Sequence, residues 1–191
     1  MPPLDPDHPH LTLAQCKAGL PELLRSPQDS GRLRLIVWRP ETLAREALQT
    51  GRLDVVHGLV GDNWQARGST KTSDGAAHLD MQITLMNARV IALLAQEQAR
   101  WPLAGDQLYV DLDLSIANLP TGTRLHVGSA VLEVTAMPHT GCKKFAERFG
   151  ADALRFLNSA EGKRMRMRGI YAKVAHSGEI AVGDTVRKVD A

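Results

Sequence analysis

The stretch LPTGTRLHVGSAVLEVT, residues 119–135, has the pattern of a β-hairpin. Apolar and polar residues alternate through RLHV and again through AVLEV, which is the period of a strand with one buried face. Only Gly128 and Ser129 stand between the two runs, and two residues that include a glycine make a tight hairpin turn. We therefore predict two antiparallel strands joined by a two-residue turn.

Further short strands are predicted on both sides of this hairpin. The segments are RLRLIVWRP (32–40), YVDLDLS (109–115), RMRMRGIYAKV (164–174) and AVGDTVRKV (181–189). Short strands with few residues between them are typical of a closed or nearly closed barrel with helices packed outside. The sequence therefore predicts a mainly β fold, a β-barrel with peripheral α-helices.

Helical spacing of apolar residues is confined to a few segments. It runs through 11–27, through 87–101 with Asn87 as N-cap and Pro102 as the stop, and through 144–157 with a break at Gly150. ETLAREALQTG (41–51) is predicted as a short helix or an ordered connection. Residues 1–10 hold four prolines and are predicted to be irregular. We expect an N-terminal arm with short helices over 1–30 and a single barrel domain over 31–191.

Composition excludes several functional classes. The chain has 191 residues, 43% hydrophobic residues and a net charge of +2, which favours neither nucleic acid nor membrane as a partner. Aromatic residues make up only 4%, which argues against a base-stacking surface. No secretory signal or membrane-spanning run is visible, so we expect a cytoplasmic protein whose two cysteines stay reduced.

Cys142 is the first candidate for chemistry. It follows a Pro- and Gly-bearing loop and precedes Lys143 and Lys144, and cationic neighbours favour the reactive thiolate. These local features leave open a packed cysteine, a nucleophile with His139 or His57 as base, and a ligand for a soft metal. Cys16 instead lies in an amphipathic stretch, where a sulfur packs as a small apolar group.

Two further segments contain candidate binding residues. HGLVGDNWQARGS (57–69) lacks the spacing of a phosphate-binding loop, but its glycines, Gly61 among them, allow a ligand close to the backbone. Asp62, Arg67 and Ser69 supply polar groups there. In KRMRMR (163–168), strand spacing places Arg166 and Arg168 on one face, which either faces solvent or binds a phosphate.

The order of several motifs resembles the MOSC domain, the domain found at the C-terminus of molybdenum cofactor sulfurases. The resemblance runs from roughly residue 55 to 186. It rests on GLVGDNW, on Gly105-Asp106-Gln107-Leu108, on the hairpin quoted above, on Cys142 with Lys143-Lys144-Phe145, and on RGIYAKV followed by GEIAVGD. The chain is similar to stand-alone bacterial members. It departs from them at Asn63, where the family often has a basic residue.

The resemblance implies a fold and a site. It implies a MOSC-type β-barrel that binds the molybdenum cofactor, molybdopterin, with the Cys142 thiolate as the metal ligand and catalytic residue. The residues that would then contact the cofactor are Gly61, Asp62, Arg67, Ser69, His139, Thr140, Lys143, Arg166 and Arg168. Pyridoxal phosphate is not expected, because it belongs to a separate sulfurase domain that this sequence lacks.

Two functions follow from the resemblance. One is a small oxidoreductase that reduces N-hydroxylated compounds with electrons from a separate redox protein. The other is a non-catalytic carrier that holds the cofactor, or a persulfide on Cys142, and passes it on. A barrel whose cysteine is merely packed is the third alternative.

Overall fold

The computed structural model describes residues 8–189. The helices are α1 (Leu13–Ala18), α2 (Leu20–Leu23), α3 (Trp64–Arg67), α4 (Ala88–Ala95), α5 (Lys143–Phe149), α6 (Ala151–Asn158) and α7 (Ala160–Arg164). The strands are β1 (Ser30–Trp38), β2 (Glu46–Leu48), β3 (Thr50–Asp54), β4 (Gly58–Leu59), β5 (Ile83–Asn87), β6 (Leu108–Asp111), β7 (Arg124–Val127), β8 (Ala130–Val134), β9 (Ile170–His176), β10 (Gly178–Ala181) and β11 (Thr185–Val189).

Seven strands close into a mixed β-barrel. Their order is β11-β7-β8-β9-β5-β6-β1, and an antiparallel pairing of β1 with β11 closes the ring. The pairing of β5 with β6 is parallel, whereas the other pairings in the ring are antiparallel. The predicted barrel class is thus confirmed. Strand β2 extends the sheet beside β1, and β10, β3 and β4 form a small second sheet.

The hairpin quoted at the start forms as predicted. Val127 pairs with Ala130, so Gly128 and Ser129 make the turn, and Gly128 has φ 56°. A side chain at Gly128 would meet the backbone of Glu179 at 2.3 Å. Glycine is required here by both the backbone conformation and the close approach of β10.

Apolar residues form two cores. One fills the barrel and includes Leu33, Leu85, Leu125 and Leu132. The other lies between the barrel wall and the helices and includes Cys16, Ile91, Phe145, Phe149 and Phe156. The helices therefore cover one side of the barrel, as expected for peripheral helices on a closed sheet.

Most predicted helix boundaries agree with the structure. Asn87 caps α4 by accepting hydrogen bonds from the backbone N–H groups of Arg89 and Val90, and Gly150 (φ 94°) separates α5 from α6. Helix α4, however, ends at Ala95 rather than at Trp101. The chain turns at Gln96 (φ 62°), and Pro102 lies inside a 3₁₀ helix over Gln98–Ala104.

The predicted strand through residues 164–168 is wrong. Ser159 caps α7, which runs to Arg164, and residues 165–168 form turns before β9 begins at Ile170. Arg and Met alternate with the period of a strand, but Ser159 caps a helix here and the backbone of Arg166 adopts a left-handed conformation (φ 47°), so no strand forms. Arg166 and Arg168 therefore do not share a strand face.

Two other segments differ from or lie outside the predictions. The segment ETLAREALQTG contains no helix, because residues 46–48 pair with β1 as strand β2. Of the predicted irregular arm, residues 1–7 lie outside the described residues, and residues 8–10 adopt neither helix nor strand. Within residues 8–189, no helix has the length and apolar character needed to cross a bilayer.

Candidate functional site

One end of the barrel carries a cleft of about 210 Å³. At this end β1 and β8 finish and β6 and β9 begin, so the loops that follow or precede these strands converge. We call it the cationic cleft. Its lining consists of Arg39, Arg45, Arg67, Met81, Thr84, Ala104, Gly105, His139, Cys142, Lys144, Phe145, Arg148, Arg168 and Tyr171.

The exposed cysteine of the chain lies in this cleft. Cys142 occupies the N-cap position of α5 and makes no capping hydrogen bond with its side chain. Cys16 is fully buried among the helices, and burial is the main cause that raises the pKa of its thiol. The predicted contrast between a packed Cys16 and an accessible Cys142 is confirmed, and neither cysteine is in a disulfide.

A buried ion pair forms one wall of the cleft. The Asp62 carboxylate accepts hydrogen bonds from Arg39 Nε (2.8 Å), Arg39 Nη2 (2.7 Å) and the backbone N–H groups of Arg39 and Trp64 (2.9 Å each). Gln107 Nε2 donates a further bond at 3.3 Å. Asp62 thus orients Arg39 and ties the end of β1 to α3. Its predicted direct contact with a cofactor stays a prediction.

Gly61 allows this wall to be assembled. It has φ 88°, and a side chain there would lie 2.6 Å from the ring of Trp38. The glycine therefore lets the turn after β4 pack directly on the last residue of β1. Its contribution is to the backbone geometry that presents Asp62.

A second buried pair lies at the floor of the cleft. Arg168 donates from Nη1 to Asp106 Oδ2 (2.7 Å) and from Nη2 to the carbonyl of Ala104 (3.0 Å), and its guanidinium lies 5.1 Å from the centre of the Phe145 ring. Burial raises the pKa of Asp106, and Arg168 opposes that shift. Arg168 is therefore fixed between a carboxylate and an aromatic face.

His139 reaches the same floor as a neutral imidazole. Its Nδ1 lies 3.6 Å from Asp106 Oδ1, which is too long for a hydrogen bond, and its ring lies 4.5 Å from that of Tyr171. Burial, followed by Arg168 and Arg39, holds the pKa of His139 well below its ordinary value. Within residues 8–189, neither His139 Nδ1 nor Asp106 Oδ1 has a hydrogen-bond partner.

Positive charge in the cleft exceeds the negative charge beside it. Six cations line it, among them Arg39 and Arg168, which are paired with buried carboxylates. Arg67 has no hydrogen bond or ion pair from its side chain within the part of the chain described, and burial and Arg39 lower its pKa. Burial and Arg148 likewise lower the pKa of Arg45. Such a cluster is suited to a ligand with several negative charges.

Six of the predicted site residues are not part of the lining of the cationic cleft, and two of these, Gly61 and Asp62, support its wall as described above. Ser69 accepts a hydrogen bond from the backbone of Lys71 in the following loop, and the Lys143 side chain is 92% exposed beside Glu147. Thr140 and Arg166 line a different, neighbouring cleft. Arg67, His139, Cys142 and Arg168 are the predicted residues that the structure brings together.

Arg39 and Arg45 line the cleft although sequence reasoning did not select them. Arg39 directly follows the last residue of β1 and precedes Pro40, and its side chain is buried at the rim of the barrel. The segment RLRLIVWRP contains two other arginines, and nothing in its pattern indicates that Arg39 rather than these would line a cleft. Arg45 lies in the loop between β1 and β2, and the sequence of this loop does not indicate where its side chains lie.

Comparisons with known proteins place this geometry in context. A family model described as the MOSC domain matches residues 72–187. Among solved structures, the YUAD protein from Bacillus subtilis has a TM-score of 0.63 at 15% identity, over 83% of this chain and 95% of that one. YiiM from Escherichia coli has a TM-score of 0.54 at 16% identity, over 84% and 70%.

A second YiiM, from Geobacillus stearothermophilus, has a TM-score of 0.50 at 14% identity, over 85% of this chain and 74% of that one. Likeness at these identities shows the fold alone. The comparison with curated protein sequences gave no match.

Proposed function

Because this chain belongs to the MOSC domain family, we propose that its cationic cleft binds the molybdenum cofactor, with Cys142 as the protein ligand to the metal. The observation that carries the proposal is a surplus of positive charge around an exposed thiol. A phosphate-bearing pterin supplies negative charge to a cleft whose lining includes Arg67 and Arg148, neither of which forms an ion pair within residues 8–189.

The donor set fits this cofactor. No group of three or more His, Cys, Asp or Glu side chains within residues 8–189 could hold a metal ion by itself. A metal in this cleft would therefore need most of its ligands from an organic group, and a single thiolate suits a soft centre of that kind. The orphaned Nδ1 of His139 and Oδ1 of Asp106 offer polar contacts at the floor.

The residues of the chain have separate tasks in this proposal. Arg67 and Arg148 bind phosphate oxygens, while Asp62 orients Arg39 before a ligand arrives. Phe145 and the fixed Arg168 close the floor against water. His139 remains neutral at physiological pH, so it adds no positive charge to the cleft.

We propose that the loaded protein is a small cytoplasmic oxidoreductase. The cofactor, when bound, supplies two-electron transfer to an oxygen-bearing substrate. For an N-hydroxylated compound the balanced change is R–NH–OH plus two electrons and two protons to R–NH₂ plus water, in which the N–O bond breaks. The electrons come from a separate redox protein, which makes such a protein the expected partner.

A carrier function is the second candidate. The exposure of Cys142 favours it, because a thiol at the mouth of a cleft can hand over a cofactor or a persulfide sulfur to another protein. Turnover of an N-hydroxylated substrate separates the two functions. A carrier would hold the cofactor or the persulfide and give no turnover.

The test is cofactor retention in matched variants. Protein made in a cofactor-competent host is analysed for molybdenum and for pterin fluorescence. Arg67→Gln should lower the retained molybdenum about tenfold, because it removes a charge-assisted contact. Arg155→Gln, which removes an exposed cation paired with Asp152, is the control and should retain it. Equal retention in both variants, or none in the wild type, would refute the proposal.

A further inference from the structure

A second cleft, of about 400 Å³, adjoins the cationic cleft. His139 and Arg168 line both clefts, so these two side chains form the partition between them. Its volume falls within the range of small-molecule sites. We call it the apolar cleft, because its wall consists largely of Ile116, Met137, Pro138, Leu157 and Ile170.

The wall of the apolar cleft includes a large hydrophobic side chain that is open to solvent. Ile116 is 51% exposed at this position, and Met137 is half-buried in the same lining as the helical residue Leu157. Covering apolar surface of this kind with an apolar ligand removes it from water, which is favourable. The cleft therefore favours a ligand with a compact apolar body.

As far as the structure describes the chain, the lining of the apolar cleft contains positively charged side chains and no negatively charged one. Lys163, Arg166 and Arg168 line it, and no acidic side chain does so in the described part of the chain. Arg168 is committed to Asp106, but Lys163 and Arg166 form no ion pair within residues 8–189. The ligand that suits the cleft therefore has one negative group as well as an apolar body.

Arg166 is held in place for such a group. Its backbone adopts a left-handed conformation (φ 47°) that a non-glycine residue rarely adopts, and its Nη1 donates to the carbonyl of Leu119. Burial lowers its pKa, which indicates a guanidinium partly removed from water. The remaining guanidinium nitrogens are available to a carboxylate, and a partly desolvated arginine binds one more strongly than an exposed arginine does.

We infer that the apolar cleft binds the organic body of the substrate, and that this substrate is an apolar carboxylate small enough to fill about 400 Å³. Its carboxylate pairs with Arg166 and Lys163, and its apolar part covers Ile116 and Met137. The substrate role rests on the proposed function, because the apolar cleft is connected to Cys142, the proposed metal ligand, only through the partition that it shares with the cationic cleft. Binding of the carboxylate itself requires no cofactor.

The experiment uses 2-naphthoate as the probe and 2-naphthamide as its neutral match. Full-length protein with isotope-labelled methionine methyl groups is titrated with each compound by NMR. Met137 lines the apolar cleft alone, and Met81 lines the cationic cleft alone. We expect 2-naphthoate to shift the Met137 resonance and not that of Met81. The amide should bind about tenfold more weakly, because it lacks the charge-assisted bonds.

Three variants test the assignment. Ile116→Trp should fill the cleft from its exposed rim and abolish the Met137 shift, and Arg166→Gln should weaken 2-naphthoate about tenfold. Lys163→Gln changes an exposed residue and provides a second charge variant should Arg166→Gln fold poorly. Lys143→Gln removes an exposed lysine that lines neither cleft, and it should bind 2-naphthoate as the wild type does.

The outcomes separate this inference from the proposed function. If carboxylate and amide bind equally, if Met81 shifts instead of Met137, or if millimolar 2-naphthoate shifts neither, the inference is wrong even when the protein retains molybdenum. If 2-naphthoate binds as expected but the wild type retains no molybdenum, the cleft is a carboxylate site and its role as a substrate cleft is overturned.

Discussion

Cys142 and Cys16 have opposite surroundings within one chain. Cys142 is exposed in the cationic cleft, whereas Cys16 is fully buried among α1, α4 and α6. A thiol reacts as its thiolate and only when a reagent reaches it, so burial protects Cys16 twice: it hinders access and it raises the pKa. Chemistry at sulfur is therefore expected at Cys142 alone.

Alkylation provides the first prediction. Iodoacetamide at neutral pH should modify Cys142 at least about tenfold faster than Cys16, because the buried thiol reacts only when the structure opens. Mass spectrometry of peptides over time measures both rates in one sample. Protein loaded with molybdenum should be protected at Cys142. Faster labelling of Cys16, or no protection in the loaded protein, would count against the assignment.

His139 provides a prediction about pH. Its pKa in the folded protein lies well below the ordinary 6.5, so below about pH 6.5 the unfolded chain binds a proton that the folded chain does not. Stability should therefore fall as the pH drops from 7 to 5, by up to about 1.4 kcal/mol per pH unit from this group. His139→Gln should lose less over the same range in urea unfolding. Parallel curves for the two proteins would show that the imidazole is not held neutral.

At the residue scale, the sequence predicted the burial of Cys16 and the exposure of Cys142 because amphipathic spacing and loop composition are local properties. It could not identify Arg39 or Arg45, since the cleft arises only when separate strand ends and loops meet. Arg166 and Arg168 were predicted to act together, yet the turn after α7 directs them to different partners, Leu119 and Asp106. Both arginines line the apolar cleft, but different partners hold their guanidinium groups, and the spacing in the sequence did not indicate those partners.

At the element scale, the buried Arg39–Asp62 pair joins β1 to the turn that leads into α3. The Asp62 side chain is fully buried and that of Arg39 is 9% exposed, so neither charge has water as an alternative partner. Removal of one partner from a buried pair leaves an uncompensated charge, which is costly. The pair therefore matters for the stability of these elements as well as for the position of Arg39.

Asp62→Asn should lower the free energy of unfolding by about 3 kcal/mol or more, because it leaves the Arg39 guanidinium buried without its counter-charge. Chemical denaturation measures the change. Glu161→Gln is the matched control, since its partner Arg164 is 71% exposed and such pairs contribute less than about 1 kcal/mol. Similar losses in the two variants would mean that Asp62 has no special structural role.

Elements with local signals were predicted well and others were not. The β7–β8 hairpin, the Asn87 cap and the break at Gly150 each depend on residues within a few positions of one another. Strand β2 instead forms because Ala47 pairs with Val37 of β1, and no pattern inside ETLAREALQTG indicates that pairing. The Arg-Met alternation at 164–168 had the period of a strand and was overridden by the cap at Ser159.

At the scale of the whole molecule, β1 is the strand on which closure of the barrel depends. It pairs with β6 on one side and with β11 on the other, and Gly31 lies where the two neighbours approach. A side chain at Gly31 would lie 1.8 Å from the carbonyl oxygen of Asp111. The close approach is to backbone, which has little freedom to move aside.

Gly31→Ala should therefore destabilise the protein by about 3 kcal/mol or more, through overpacking of the β1–β6 junction. Ser30→Ala, one residue earlier and exposed, is the control and should change stability by less than about 0.5 kcal/mol. Thermal unfolding followed by circular dichroism compares them. If Gly31→Ala unfolds at the wild-type temperature, β1 is not tightly held at that point.

The barrel class was predictable from the sequence because many short alternating segments with tight connections have few other ways to bury their apolar faces. The strand order was not, since the parallel pairing of β5 with β6 and the closure between β1 and β11 join distant segments. The match of the MOSC family model to residues 72–187 confirms the resemblance that the motif order indicated.

Closure between β1 and β11 also sets the order of events during synthesis. Ser30 pairs with Arg187, so β1 leaves the ribosome long before its final neighbour exists. Until then β1 and β7 each present an unpaired edge, and such edges invite pairing with other chains. A nascent or prematurely terminated chain that lacks β11 should therefore depend on chaperones more than the finished protein does.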